Sequence, residues 1–156
     1  MKKVLIVSIS LILLTLCGCS DNKTTAKDDS EAYIIVGGKP NYQRVDIDLS
    51  SMSGTVAYSQ VYNILTIPEN YENKVVKMKG TFSIYQNQDK TIIYPAVIIK
   101  DATACCSQGL EFVLYGRAKY PKDYPELSKE ITVIGIYTIY YEGSTRYTHL
   151  VDSVIL

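Results

Sequence analysis

The chain has 156 residues, with 16 basic and 16 acidic side chains and one histidine. This length fits one domain with a hydrophobic core and is short for two. The balanced charge provides no strongly basic surface, so we expect no nucleic-acid partner.

The N-terminal segment has the pattern of a secretory signal. Lys2 and Lys3 form a basic start. Residues 4–16 form an apolar run that is shorter than the length typical of a transmembrane helix. Small residues follow it. We therefore predict that residues 1–18 are a signal peptide and are removed.

The sequence LCGC at 16–19 resembles the lipobox of bacterial lipoproteins, in which an aliphatic, a tolerant and a small position precede the modified cysteine. The resemblance implies that Cys19 carries a diacylglyceryl group and becomes the mature N-terminus. Acyl chains contribute about 0.8 kcal/mol per buried methylene, so we expect a lipid anchor on the extracytoplasmic face of the cell membrane. An ordinary cleaved signal peptide is the alternative.

The next segment, SDNKTTAKDDSE at 20–31, contains a single apolar residue and cannot bury a core. We predict a solvated tether over residues 19–50, with short extended pieces at 33–36 and 45–49. Loss of Lys2 and Lys3 with the signal leaves 14 basic against 16 acidic residues, a net charge of about −2. Attachment to the membrane is therefore assigned to the acyl chains.

A helix is predicted at the start of the folded domain, which we place at residues 51–156. Between positions 52 and 67, four apolar side chains recur at helical spacing: Tyr58, Val61, Tyr62 and Leu65. Ser51 or Ser53 is a suitable N-cap, and Pro68 ends the pattern.

Beyond Pro68 the hydrophobic period changes to alternation, which indicates β-strands. Five strands are predicted, at 76–84, 91–100, 110–115, 130–141 and 147–155. The first and fourth are alike when Gly80 is aligned with Gly135, and a glycine inside a long strand commonly marks a bulge or a bend. We predict a mainly β fold with one N-terminal helix and a small five-stranded OB-like barrel. An open antiparallel sheet packed on the helix is the alternative.

Four segments together, SMSGTVAYSQVYNIL, YENKVVKMKGTF, ACCSQGLEF and YPKDYP, resemble a group of Gram-positive membrane lipoproteins with an OB-like domain. The likeness covers most of the mature chain and implies location and fold, because no activity is established for that group. A narrower likeness, limited to paired cysteines in an OB-like context, is to the second subunit of a two-component permease family associated with metal supply. A transporter or a cell-wall component is accordingly the expected partner.

Cys105 and Cys106 lie in the connection between the second and third predicted strands. In one interpretation they bind zinc or copper(I), with His149 and a carboxylate such as Glu111 or Asp101 completing the site. Side chains of adjacent strand residues point apart, so this interpretation requires a sharp bend between the two cysteines.

Two other interpretations of the paired cysteines stay open. The thiols could form a strained and reducible vicinal disulfide, because a trans peptide sets the two Cα atoms about 3.8 Å apart. Alternatively, one thiol packs into the core, where free cysteine is often found.

The chain contains 14 tyrosines and no tryptophan. Four of them surround the last predicted hairpin: Tyr137, Tyr140, Tyr141 and Tyr147. Exposed tyrosines on an OB-type face could bind a sugar or a peptide, although they more often fill a sheet surface. No catalytic triad, phosphate-binding loop or carboxylate pair stands out, so we predict a binding or accessory module rather than an enzyme.

Overall fold

The computed structural model describes residues 32–156. The predicted signal peptide, the predicted lipidation site at Cys19 and residues 19–31 of the predicted tether lie outside these residues. The described elements are β1 (Tyr33–Val36), β2 (Lys39–Tyr42), β3 (Ile47–Asp48), α1 (Gly54–Thr66), a short 3-10 helix (Pro68–Asn70), β4 (Val75–Gln86), β5 (Ile93–Lys100), β6 (Ser107–Leu114), β7 (Glu130–Glu142) and β8 (Thr145–Ile155).

Five strands form a closed ring of hydrogen-bonded neighbours in the order β4-β5-β6-β8-β7, and β7 pairs again with β4. The β6–β8 pairing is parallel and the other four are antiparallel. This is the strand order of an OB fold, and it confirms the predicted mainly β fold with one N-terminal helix. The pairing of β4 with β7 supplies the closure that an open sheet would lack.

Strand β4 closes the ring by changing partners halfway along its length. Residues 75–81 pair with β7, and residues 81–86 pair with β5. Gly80 lies at this change, and a Cβ atom there would be 2.5 Å from the backbone oxygen of Ile98. Because real Cβ atoms do not approach a carbonyl so closely, only glycine fits where the two backbones converge. Gly80, where the sequence predicts a bulge or a bend, is thus the residue at which β4 passes from one partner to the other.

Helix α1 packs against the interior of the ring through Ala57, Val61 and Ile64. The predicted helical face was partly wrong, because Tyr62 and Leu65 are exposed. The buried side chains are smaller than the tyrosines, which lets the helix axis approach the sheet closely. The core that the helix covers contains, from the ring strands, Val76, Met78, Phe82, Val97, Leu110, Phe112, Ile131, Val133, Tyr137 and Leu150.

The β1–β2 hairpin belongs to the same folded unit. It turns at Gly37 and Gly38, both with positive φ, as a tight hairpin turn requires. The hairpin tyrosines Tyr33 and Tyr42 pack on a second apolar cluster, and the Tyr42 hydroxyl donates to the backbone oxygen of Asp152 at 2.9 Å. The cluster joins the hairpin to the surface of β7 and β8.

Candidate functional site

The paired cysteines lie in a tight turn between β5 and β6. The Asp101 N–H donates to the backbone oxygen of Cys106, and the Ala104 N–H donates to that of Asp101, both at 3.0 Å. Ala104 has a φ of 57°, in the left-handed region, which reverses the chain just before Cys105. The reversal thus lies one residue before the position between the two cysteines at which the metal interpretation predicted it.

The bend turns both sulfur atoms to the same side. The Sγ atoms of Cys105 and Cys106 are 3.6 Å apart, and the Cys105 Sγ is 3.2 Å from Oδ2 of Asp101. One ligand atom from each of these three residues lies within 4.8 Å of the others. Both thiols are free and exposed, so neither packs into the core.

Hydrogen bonds within the turn shift the pKa values of Asp101 and Cys106. The hydrogen bond from Cys105, with a second one from the Thr103 hydroxyl at 3.0 Å, lowers the pKa of Asp101. The neighbouring Cys105 raises the pKa of Cys106, through its hydrogen bond first and its charge second. The carboxylate is thus held ionised beside two thiols.

Glu111 and His149, the other two predicted ligands, lie elsewhere. Glu111 follows Cys106 by five residues along the extended strand β6, which separates them by about 16 Å. His149 is the cross-strand partner of Glu111 on β8. The structure therefore brings Glu111 and His149 together, but away from the thiols, because an extended strand carries its residues apart.

Tyr140 links Glu111 to His149. Its hydroxyl donates to Oε2 of Glu111 at 2.8 Å, and its ring stacks on the imidazole with centroids 4.3 Å apart. Burial raises the pKa of Glu111 and lowers the pKa of His149. His149 is thereby a neutral, stacked sheet residue in this setting.

A groove of about 720 Å³ crosses the face of β5 and β6 that lies opposite to the core. On this face Ala96 pairs with Glu111 and Ile98 with Gly109, alternating with the core residues of the same strands. The end of β4 and the turn after it bound the groove on one side, and the β7–β8 hairpin bounds it on another. The polar and aromatic lining residues are Tyr85, Gln86, Asn87, Gln88, Tyr94, Ser107, Gln108, Glu111, Glu142, Arg146, Tyr147 and Thr148.

Acidic and aromatic side chains meet inside this groove. The Tyr94 hydroxyl donates to both carboxylate oxygens of Glu142, at 3.1 and 3.2 Å. The charge of Glu142 adds to the burial that raises the pKa of Glu111, so the two carboxylates interact. Tyr147 lines the groove and stacks on Tyr140 with centroids 5.5 Å apart.

Two further polar groups complete the lining. Gln108 alternates with Gly109 and Glu111 and shares the core-facing side of β6 with Leu110, and its buried Oε1 atom has no hydrogen-bond partner among the described residues. Arg146 is the only basic residue among the described groove residues, and its guanidinium is paired with Glu69. The groove thus contains two carboxylates, while its one described cation is paired with Glu69.

Sequence reasoning located only part of this surface. Tyr147 and Glu111 were singled out, but Tyr137 is fully buried and is not a surface tyrosine. The sequence pattern does not indicate Tyr94 or Glu142 as groove residues. Tyr94 lies in a nearly continuous apolar segment, so alternation does not indicate which face of the strand it occupies. It contacts Glu142 only because the ring of strands is closed.

Within residues 32–156, no helix is long and apolar enough to cross a membrane. Comparison of the chain with protein-family models finds no match, and no curated protein matches it. The function must therefore be inferred from the surface itself.

Proposed function

We propose that this chain is a lipid-anchored extracytoplasmic binding protein whose groove over β5 and β6 binds a saccharide carrying protonated amines. The observation that carries the proposal is the convergence of Glu111, Glu142, Tyr94 and Tyr147 on one groove. A cell-wall glycan is the partner that suits both the proposed location and this surface.

The anchoring half of the proposal is supported by the N-terminal sequence. A basic start and a short apolar run precede the LCGC segment, which ends at Cys19 and is followed by twelve residues of which one is apolar. With a diacylglyceryl group on Cys19, the groove-bearing domain would stand outside the membrane on a tether.

The position of the groove favours a polymeric ligand. The strand 2–3 face of OB folds, flanked by the loops between strands 1 and 2 and strands 4 and 5, binds oligonucleotides and oligosaccharides. Here that face is β5 and β6, and the flanking loops are 87–92 and 143–144. The carboxylates of Glu111 and Glu142 would repel the phosphates of an oligonucleotide, which leaves saccharides.

The chemistry of the lining favours an amine on that saccharide. A protonated amine donates hydrogen bonds, and the carboxylates of Glu111 and Glu142 accept them. Tyrosine rings attract cations through their faces and also stack on sugar rings. Arg146 offers little opposing charge, because it is paired with Glu69.

Calorimetric titration of the full chain in detergent with a soluble glucosamine oligosaccharide tests this proposal. The N-acetylated oligosaccharide is the matched ligand, because it keeps the sugar backbone and lacks the charge. We expect binding of the first and at least tenfold weaker binding of the second, equivalent to about 1.4 kcal/mol. Each of E111Q and E142Q should lower the affinity for the amino sugar by about tenfold, through loss of a charge-assisted contact.

The control is E126Q, which removes an exposed carboxylate outside the groove and should leave the affinity unchanged. Equal affinities for the two oligosaccharides would contradict amine recognition. A lysine tripeptide that binds as well as the amino sugar would contradict the saccharide assignment.

The anchor is tested separately by C19A. The wild-type chain should sediment with membranes and carry the mass of attached acyl chains, and the variant should lack that mass. A wild-type chain with no added lipid mass would refute the anchor and leave the groove proposal intact.

A further inference from the structure

We infer that Asp101, Cys105 and Cys106 form a chelating site for a thiophilic divalent metal ion, namely zinc, on the β5–β6 turn. This site is separate from the groove, and the inference does not depend on the proposed saccharide. It rests on the positions of three ligand atoms that one turn of six residues brings together.

The separation of the sulfurs fits one ion between them. With both zinc–sulfur bonds at about 2.3 Å, the observed Sγ–Sγ distance of 3.6 Å corresponds to a sulfur–metal–sulfur angle of about 103°, close to tetrahedral. A linear ion with bonds of this length would need sulfurs about 4.6 Å apart. The turn is therefore arranged for a tetrahedral ion rather than for two-coordinate copper(I).

Asp101 supplies the third ligand. Its Oδ2 atom is 3.2 Å from the Cys105 Sγ, a spacing that an oxygen and a sulfur bound to the same zinc ion also adopt. The Thr103 hydroxyl donates to that oxygen at 3.0 Å, and the Cys106 N–H donates to the other oxygen at 3.4 Å. These bonds orient the carboxylate before any ion arrives.

A vicinal disulfide fits this geometry less well. A disulfide requires sulfurs about 2.05 Å apart, and the Cα atoms of adjacent residues are about 3.8 Å apart, below the usual range for a disulfide. The sulfurs at 3.6 Å would have to move together against that strain, whereas a chelated ion requires little movement. The exposed position of both thiols leaves the fourth coordination position to water or to a partner protein.

Binding must displace the thiol protons. One divalent ion and two thiols give a metal dithiolate and two protons, without any change of oxidation state. Titrations in two buffers that differ in protonation enthalpy should therefore show release of about two protons per ion, and the affinity should rise with pH.

Cobalt(II) is the test probe, because it occupies zinc sites and its thiolate charge-transfer band reports directly on sulfur ligation. Metal and reductant are first removed from the full chain under anaerobic conditions. The chain should then bind one cobalt ion and show this band, and added zinc should displace the cobalt and abolish the band. Each of the single variants C105S and C106S should show about half of the wild-type band intensity. D101N should keep the band but bind at least tenfold more weakly, and T103V about tenfold more weakly.

The controls are H149Q and E111Q, which alter the two residues that the sequence offers as ligands but the structure places away from the turn, and both should leave cobalt affinity unchanged. Circular dichroism of every variant verifies that it is folded. Absence of the band in the reduced wild-type chain, or a band that survives C105S with C106S combined, would overturn the inference. Isolation of the chain as an intramolecular disulfide that zinc does not prevent would overturn it in favour of a redox pair.

Failure at this site and failure of the saccharide proposal are distinguishable. Glucosamine oligosaccharide binding should survive C105S and C106S, and cobalt binding should survive E142Q.

Discussion

Tyr137 satisfies a backbone group that the helix cannot satisfy by itself. The residue four positions after Ile64 is Pro68, which has no N–H to donate to the Ile64 carbonyl. The buried Tyr137 hydroxyl lies 3.2 Å from that oxygen and donates to it across the core. One hydroxyl thus joins the end of α1 to β7.

Y137F should therefore destabilise the domain by about 1–3 kcal/mol, because the buried carbonyl loses its donor. Urea denaturation of the full chain measures this change. Y141F is the matched control: Tyr141 is 66% exposed, and its loss should change the stability by less than about 0.5 kcal/mol. Equal stability of the two variants would contradict this role.

His149 gives the domain a pH dependence of defined sign. Burial lowers its pKa below the ordinary 6.5, so the folded state keeps the imidazole neutral where the unfolded chain protonates it. The contribution of the neutral imidazole to stability is fully present above pH 6.5. It is lost as the pH falls from 6.5 toward the lower pKa of His149 in the folded state. Glu111, whose pKa burial raises, acts in the opposite direction, because its protonation favours the folded state.

The variant E111Q lacks the opposing group. As the pH is lowered below 6.5, its free energy of unfolding should decrease more steeply than that of the double variant E111Q with H149Q. Denaturation at several pH values measures the difference, and an NMR titration of the His149 ring gives its pKa directly. A ring pKa above 6.5 would contradict the burial assigned to it.

At the scale of elements, the strands are the part of the fold that sequence predicts best. The predicted bounds of all five ring strands lie within a few residues of the observed ones, and alternation marks those strands that have one face in the core and one polar face. The helix face was harder. The large rings of Tyr58 and Tyr62 dominate the pattern, but the small Ala57 is the residue that faces the core.

The candidate sites depend on information that periodicity does not contain. Tyr94 and Glu142 are 48 positions apart and meet only through strand order and register. The thiols of Cys105 and Cys106 share one side because of the left-handed Ala104, a residue with no special tendency toward that conformation. Residue types could be predicted from the sequence, but their convergence could not.

Gly80 gives a test of the ring itself. G80A should destabilise the domain by about 1–3 kcal/mol, since its Cβ would collide with the Ile98 carbonyl and force β4 away from β5. G54A is the control, because a Cβ at Gly54 meets nothing within 4 Å and should be neutral or raise the stability by up to about 1 kcal/mol. A G80A variant as stable as G54A would show that the close approach is not required.

At the scale of the whole molecule, the closed ring separates three surfaces. The β1–β2 hairpin covers part of β7 and β8, the helix covers the interior, and the groove over β5 and β6 stays open. The thiol turn connects β5 to β6, so the proposed metal site adjoins the proposed ligand site without sharing its residues.

The most direct test of the central claim is a map of backbone amide shifts in the ¹⁵N-labelled full chain as a glucosamine oligosaccharide is added. The proposal predicts that the largest changes occur at groove residues such as Tyr94, Gly109, Glu111 and Tyr147, and that the N-acetylated oligosaccharide produces far smaller ones. Changes concentrated on the β1–β2 hairpin, or no changes at all with the amino sugar, would contradict it.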